Sequence, residues 1–400
     1  MKKRILLLGG SFHQIPIIKE AKQRGLHVIT CDYLPDNPGH KLADEYYNVS
    51  TTDYEGVLEL AKKVKPDYIV AYASDPAAPV AAYVSEKLGL QGNSYDSIRL
   101  LSEKDLFRSF MKQNGYNVPE IAISHKNDNT YKILDNLKLP FIVKPTDSSG
   151  SKGVSKVLEE SELQSAVDYA FQFSRNQRII AEEFIDNELA DIHGDGFVVD
   201  GNLVFSCLGD HIYNSHSNPY NPIGTLWPSK QSGEVIQKIE KDVAGLIKKT
   251  GFKQGPVNIE ARVNRKGKHY IMEVGPRSGG HFVPQAIHHA TGFDMVKGIL
   301  DQLEGKQIII PSEDKRKPVA YYAIHSDQEG ILTELNIDKS LSPFIKELHQ
   351  YIKLGETVKA FHGANAAIGV IVLCFDSFQE TDYYIDNIGS YIRLNIRELS

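Results

Sequence analysis

The stretch Phe141–Val154, FIVKPTDSSGSKGV, decides how the rest of the chain is read. An apolar strand ends in Lys144-Pro145 and runs directly into Ser148-Ser149-Gly150-Ser151-Lys152-Gly153. Glycine and serine let backbone N–H groups come close to an anion, and lysine adds charge. A lysine at a strand end followed by so small a loop predicts a phosphate cradle. It is not a P-loop, because no G-x-x-x-x-G-K-[ST] follows a strand here.

Upstream of this stretch, residues 1 to 100 alternate strand and helix. RILLLGG is a strand with a glycine turn, IPIIKEAKQRG an amphipathic helix, HVITCD a second strand ending in Asp32. YEGVLELAKKVKP, DYIVAYASD and AAPVAAYVSEKLG continue as helix, strand and helix. Such repetition predicts a parallel sheet with right-handed crossovers. Gly9-Gly10 followed by Asp32 is a pairing that dinucleotide folds use, but GGSFHQ lacks G-x-G-x-x-G and reads more simply as turn geometry.

From residue 101 the pattern becomes α+β. LSEKDLFRSFMKQNG predicts one helix, with Ser102 as N-cap and Gly115 as stop. Strands are expected near 121–124, 140–144, 153–157 and 178–182, a helix over 160–173, a hairpin over 256–274 and helices over 283–303. The segment 317–400 opens on the strand PVAYYAIHS, continues through AAIGVIVLCF and ends in the helix-like FQETDYYIDNIGSYI. The expected division is an α/β domain at 1–100, a central α+β domain at 101–312 with a subdomain over about 116–188, and a small α+β domain at 313–400.

Bulk properties exclude several classes. Of 400 residues, 41% are hydrophobic and 24% charged, as in an ordinary globular protein. A net charge of −6 offers no electrostatic case for nucleic acid or an anionic membrane. Cys31, Cys207 and Cys374 lie far apart without a C-x-x-C, which predicts reduced thiols, a cytoplasmic location and no zinc site. The apolar run Ile5–Leu8 is too short for a signal peptide, and no stretch reaches the ~20 apolar residues of a membrane span.

Two further stretches can carry chemistry. In GPVNIEARVNRKGKHYIMEVGPRSGG, a four-residue turn at Asn264–Gly267 sets Val263 opposite Lys268 and Glu260 opposite Ile271. Glu273 then shares a face with Glu260, roughly 7–8 Å away on the diagonal. Two carboxylates followed by Arg277 suit a magnesium ion shared with phosphates. A three-residue turn would instead put them on opposite faces, and two solvent-facing glutamates are the plainer alternative. RIIAEEFIDNELAD ends an apolar strand in Glu182-Glu183-Phe184-Ile185, with Glu188 beyond; such an end can bind a purine edge and ribose hydroxyls, but this stretch alone reads as an ordinary strand with a polar end.

Taken in order, Lys104 in SEKDLFRSFMKQNGYNVP, Lys144 with its glycine loop, AEEFIDNE and NIEARVNRKGKHYIMEVGPRSGG resemble the ATP-grasp superfamily. DYIVAYASDPAAPVAAYVSEKLGLQGNS is similar to the end of the α/β domain that precedes it there, so the resemblance spans essentially the whole chain. It implies a carboxylate–amine ligase that uses ATP and Mg²⁺, with Mn²⁺ as a substitute. Lys104 and Lys144 would contact phosphates, and Ser149, Gly150, Ser151 and Gly153 would form the mobile loop over them. Glu182 would sit at the adenine, the backbone of Glu183 and Ile185 around Phe184 would read the base, and Glu188 would hold the ribose. Glu260 and Glu273 would bind metal, and Arg277 would steady the carboxylate or its acyl phosphate. Many members read E-x-N-P-R with the asparagine as a further ligand; here Gly275 stands at that place, which resembles the amino-acid ligases and leaves one or two metals open.

Substrate identity is less legible. Residues 207–229, CLGDHIYNSHSNPYNPIGTLWPS, read as a substrate-facing loop or as a merely ordered one. Gly279, Gly280 and His281 are candidate substrate contacts. The chain is also similar to glycinamide ribonucleotide synthetase, the carbamoyl phosphate synthetase large subunit and biotin carboxylase. GGSFHQIP does not match the phosphoribosyl-binding loop of purine enzymes, and no paired copy or glutamine-amidotransferase domain is seen, so an amino-acid or peptide ligase leads. A dinucleotide-dependent oxidoreductase and a non-catalytic nucleotide-binding regulator are the alternatives of another class. Expected partners are small-molecule carboxylates and amines, with a homodimer left open.

Overall fold

A computed structural model describes residues 2–187, 189–213, 216–312 and 316–398. Among these the strands form four sheets. The first is parallel, in the order Glu45–Tyr47, His27–Cys31, Arg4–Leu8, Tyr68–Val70. Ile5–Leu8 are buried on both faces, which is why this strand reads as an unbroken apolar run. Helices Ile15–Gln23, Tyr54–Val64 and Ala78–Leu88 follow the strands. Asp53 caps the second of these by accepting from Gly56 N, and left-handed Gly89 ends the third.

A four-stranded antiparallel sheet orders Ile121–His125, Arg178–Glu183, Phe141–Pro145 and Ser155–Val157. Helix Leu163–Phe173 closes its apolar face over Phe141, Val143, Ile179 and Ala181. The stretch that opened the reading thus lies in the middle of a small layered unit, its lysine pointing away from that core.

The largest sheet has eight strands, from the hairpin His269–Gly275 and Gly255–Val263 through Ile192–Val199, Asn202–Ile212, Gly224–Trp227, Val319–Ile324 and Gly369–Cys374 to Ile345–Gln350. Helices Gly233–Thr250, Val283–Thr291 and Met295–Leu303 pack against it. A three-stranded sheet of Thr357–Val358, Gly330–Ile337 and Ile392–Arg397 stands beside it. Three strands after residue 313 therefore extend the central sheet, so the last segment shares a core layer with the middle of the chain. No helix among the described residues is long and apolar enough to cross a membrane.

Three expectations need correcting. The single helix over 101–115 is two helices, Tyr95–Ser102 and Lys104–Gln113, broken at Glu103, whose backbone is extended. Glu103 is held there by Arg99 and Arg178, and it is Glu103, not Ser102, that stands at the N-cap of Lys104–Gln113; Ser102 ends the preceding helix. Residues 207–229 are not one loop, because both ends are strands of the central sheet and Trp227 is fully buried. The hairpin register is the third correction, and it matters most for the site.

Candidate functional site

The parallel sheet, the four-stranded sheet and the central sheet all contribute to one cavity of about 430 Å³. That is within the size range of ligand pockets. Lys104, Lys144, Ser149, Gly150, Ser151, Glu182 and Glu183 line it, as do Phe184, Ile185, Glu260, Glu273, Arg277, Gly280 and His281. Gly153 and Gly279 shape its turns without lining it. Glu188 lies outside the described residues.

The turn of the hairpin spans 264–268, so Val263 pairs with His269 and Ala261 with Ile271, not as expected. Carried on unbroken, that register would pair Glu260 with Met272 and send Glu273 to the other face. A bulge intervenes after Ala261–Ile271, and Glu260 pairs directly with Glu273. The carboxylates share a face because of an irregularity, not because of the turn.

Like charges directly opposite on paired strands repel. Burial, and then Glu273, push the Glu260 carboxyl up to about 7. Glu273 is offset by Lys104 Nζ at 3.5 Å and Arg277 Nη2 at 3.9 Å. Two converging carboxylates, with no group of three His, Cys, Asp or Glu poised for a metal among the described residues, fit a cation that takes its other oxygens from phosphate and water. A Cβ added at Gly275 would lie 3.4 Å from Asp75 Oδ1 and 3.5 Å from Glu273 Oε1. A side chain at that position would share its space with Asp75.

The cations are arranged around this pair. Lys104 opens its helix because the backbone breaks at Glu103; its N–H donates to Thr146 O at 3.0 Å and its Nζ to Ser148 O at 2.9 Å. Lys144 reaches from its strand to Glu182 Oε2, and Arg108 Nε lies 2.8 Å from Glu182 Oε1. Burial would raise the Glu182 carboxyl, but Arg108 and then Lys144 outweigh it and hold it down at about 2. Burial lowers the Lys144 ammonium below its ordinary value; Glu182 opposes this, while Arg108 and Lys104 add to it. Two cations on one carboxylate leave positive charge to spare. An incoming phosphate would supply the missing anion.

The glycine–serine loop spans the cavity. Ser151 Oγ donates to Tyr220 O at 3.1 Å, and Gly150 approaches Ala364. Gly153 has φ +73°, and a Cβ there would meet Pro145 Cγ at 2.8 Å, so glycine is required on both counts. Phe184 packs beneath Lys156 Nζ, 3.5 Å from the ring centroid, and Ile185 O accepts from Arg262.

Several residues of the site escaped sequence reasoning. Arg277 is forked onto Asp75, with Nε–Oδ1 at 2.5 Å and Nη2–Oδ2 at 2.8 Å, across 202 positions of sequence. Asp75 ends DYIVAYASD, and its place past a parallel strand was the available signal. Arg108 is wholly buried and donates from Nη2 to Met272 O at 2.7 Å, beside the bulge. Asp195 accepts from Gly279 N and Asn258 Nδ2, tying down the Ser278-Gly279-Gly280 turn, and burial pushes its carboxyl up to about 6. Asp32, by contrast, accepts from Leu34 N and Asn37 Nδ2 within its own turn.

Comparison with known proteins bears on this arrangement. Residues 137–285 match the ATP-grasp domain. The chain is 26% identical over 357 residues to the carbamoyl phosphate synthase large chain of Pseudothermotoga lettingae, covering 85% of this chain and 31% of that one. It thus spans about a third of the length of that curated relative. The crystal structure of L-amino acid ligase from Bacillus licheniformis superposes with a TM-score of 0.83 at 22% identity, covering 99% of both chains. Phosphoribosylglycinamide synthetase from Anaerococcus prevotii gives 0.78 at 22% identity, covering 99% of this chain and all of that one.

Proposed function

We propose that the chain, whose residues 137–285 match the ATP-grasp domain, is an ATP-grasp enzyme, an ATP-dependent carboxylate–amine ligase acting on amino acids or similar small metabolites. The observation that carries this is one cavity in which Lys104 and Lys144, the latter sharing Glu182 with the buried Arg108 behind it, stand with the Glu260–Glu273 pair.

ATP would enter with its phosphates toward Lys104 and Lys144 and its base toward Glu182–Ile185. Glu260 and Glu273 would hold Mg²⁺, which when bound would supply charge neutralisation at the phosphates; the γ-phosphoryl group would pass to a carboxylate oxygen as ADP leaves. Lys104 and Lys144 would stabilise charge on the transferring group without reorganising, which is where most of the acceleration in such reactions arises. Loop 148–153 would exclude water, which matters because an acyl phosphate hydrolyses readily. Arg277, held in place by Asp75, would orient the carboxylate, and an amine would then displace phosphate to give the amide. The division at about residues 100 and 312 into preceding, ATP-grasp and C-terminal parts belongs to the same proposal.

The test is phosphate release from MgATP with pairs of carboxylates and amines, run beside Lys144→Ala. Turnover that needs both a carboxylate and an amine, stops with EDTA and disappears in the variant supports the ligase. ATP hydrolysis indifferent to any such pair would overturn it.

A further inference from the structure

One part of the cavity wall has no task in the phosphoryl chemistry. It is built from His13, His211, Asn221, His281 and Tyr321, which five separate segments bring together. Their rings are stacked or edge-on. His13 meets His281 at 5.3 Å, His281 lies over Tyr321 at 5.8 Å and 11°, and His211 stacks on His193 at 4.3 Å.

Two of these side chains are buried without being satisfied. Asn221 is 2% exposed and its Nδ2 has no hydrogen-bond partner; His281 is 8% exposed and neither ring nitrogen has one. Buried polar groups in native proteins are nearly always paired, so unpaired ones sharing a cavity wall point to a ligand's polar atoms. His281 and Phe282 are also both held at positive φ, 50° and 60°. Non-glycine residues in that region are strained, and such strain gathers at ligand clamps.

The wall is uncharged. Burial keeps His13 and His211 down at about 4 and His281 at about 3, so all three are neutral near pH 7. Arg262 is paired with Asp191, and Arg277, paired with Asp75, is the group assigned above to the reacting carboxylate. None of the wall's five side chains would itself offer a phosphate or an acidic side chain a counter-charge; the cations of the cavity are Lys104, Lys144, Lys152, Arg262 and Arg277.

We propose that this wall is the specificity pocket of the ligase, and that it takes an uncharged, ring-bearing side chain carrying its own hydrogen-bonding atom, a phenol above all. The ring would pack along this wall, its oxygen accepting from Asn221 Nδ2 and its O–H donating to an in-plane ring nitrogen of His281. This rests on the ligase reading for its setting, but it is tested by binding and not by turnover.

The experiment is calorimetric titration of the full chain, with MgADP present, by L-tyrosine, L-phenylalanine, L-glutamate and ribose 5-phosphate. Wild type should bind tyrosine about tenfold more tightly than phenylalanine, which is about 1.4 kcal/mol, and bind glutamate and the sugar phosphate more weakly than either. Asn221→Ala and His281→Phe should each bring tyrosine down toward phenylalanine. Tighter binding of glutamate or ribose 5-phosphate, equal binding of tyrosine and phenylalanine, or no binding of either ring would overturn the pocket. Phosphate release with some other carboxylate–amine pair would leave the ligase standing in each of those cases.

Discussion

Replacing Glu182 by glutamine isolates the charge cluster formed with Arg108 and Lys144. The substitution keeps the shape and removes the carboxylate shared by Arg108 and Lys144. Arg108 is wholly buried and Glu182 is 1% exposed, so neither charge can turn to water. Burial works against ionised Glu182, yet Arg108 and then Lys144 lower its pKa from 4.5 to about 2. At about 1.36 kcal/mol per pH unit, that difference corresponds to about 3 kcal/mol. Removing one partner of a buried pair costs about 3–5 kcal/mol, so the two routes agree. Because the folded value is depressed, the contribution is full above the unfolded value of 4.5 and fades as pH falls through about 2. Urea unfolding of Glu182→Gln should therefore show a loss of about 3 kcal/mol at pH 7 and about 2 kcal/mol at pH 3.5. Adding Arg108→Met should restore at least about 1 kcal/mol, since the stranded cation goes with it. A loss under about 1 kcal/mol at pH 7, with an unchanged denaturant slope, would refute the reasoning and mean that Glu182 carries no structural charge pairing.

Two further outcomes follow from the same geometry. Asp75→Asn leaves Arg277 without its charged fork, so kcat/KM for the carboxylate should fall about tenfold to hundredfold while MgATP affinity, read by calorimetry, changes less than about threefold. Asp195 has a folded pKa raised to about 6 against an ordinary 3.8, so its stabilisation is full below about pH 4 and is lost as pH rises through about 6. Asp195→Asn should remove about 3 kcal/mol of that pH dependence, seen as a flatter stability profile between pH 4 and 7 than in wild type.

Arg108 links the two halves of the site. One end of its guanidinium neutralises Glu182, and the other donates to the carbonyl of Met272, next to the bulge that turns Glu273 toward Glu260. The strand that carries Glu182 and the hairpin that carries Glu260 and Glu273 are thus braced by one buried side chain. Its loss would be expected to disturb both.

Local chemistry carried much of this protein into its sequence. The apolar run of Ile5–Leu8, the helix closed by Gly89, and the lysine and glycine loop after Phe141–Pro145 all follow from burial, capping and backbone freedom within a few residues. So did the two carboxylates and Arg277, because residue type and spacing alone mark them as candidates. Their arrangement was decided elsewhere. A hairpin register depends on which backbone groups the turn and the neighbouring strand Ile192–Val199 leave to pair, and one extra residue reverses the face of everything beyond it. The Asp75–Arg277 fork, the Arg108 brace and the ring-lined wall join segments up to hundreds of residues apart, and no local pattern encodes a contact whose strength arises only when both groups lose water together.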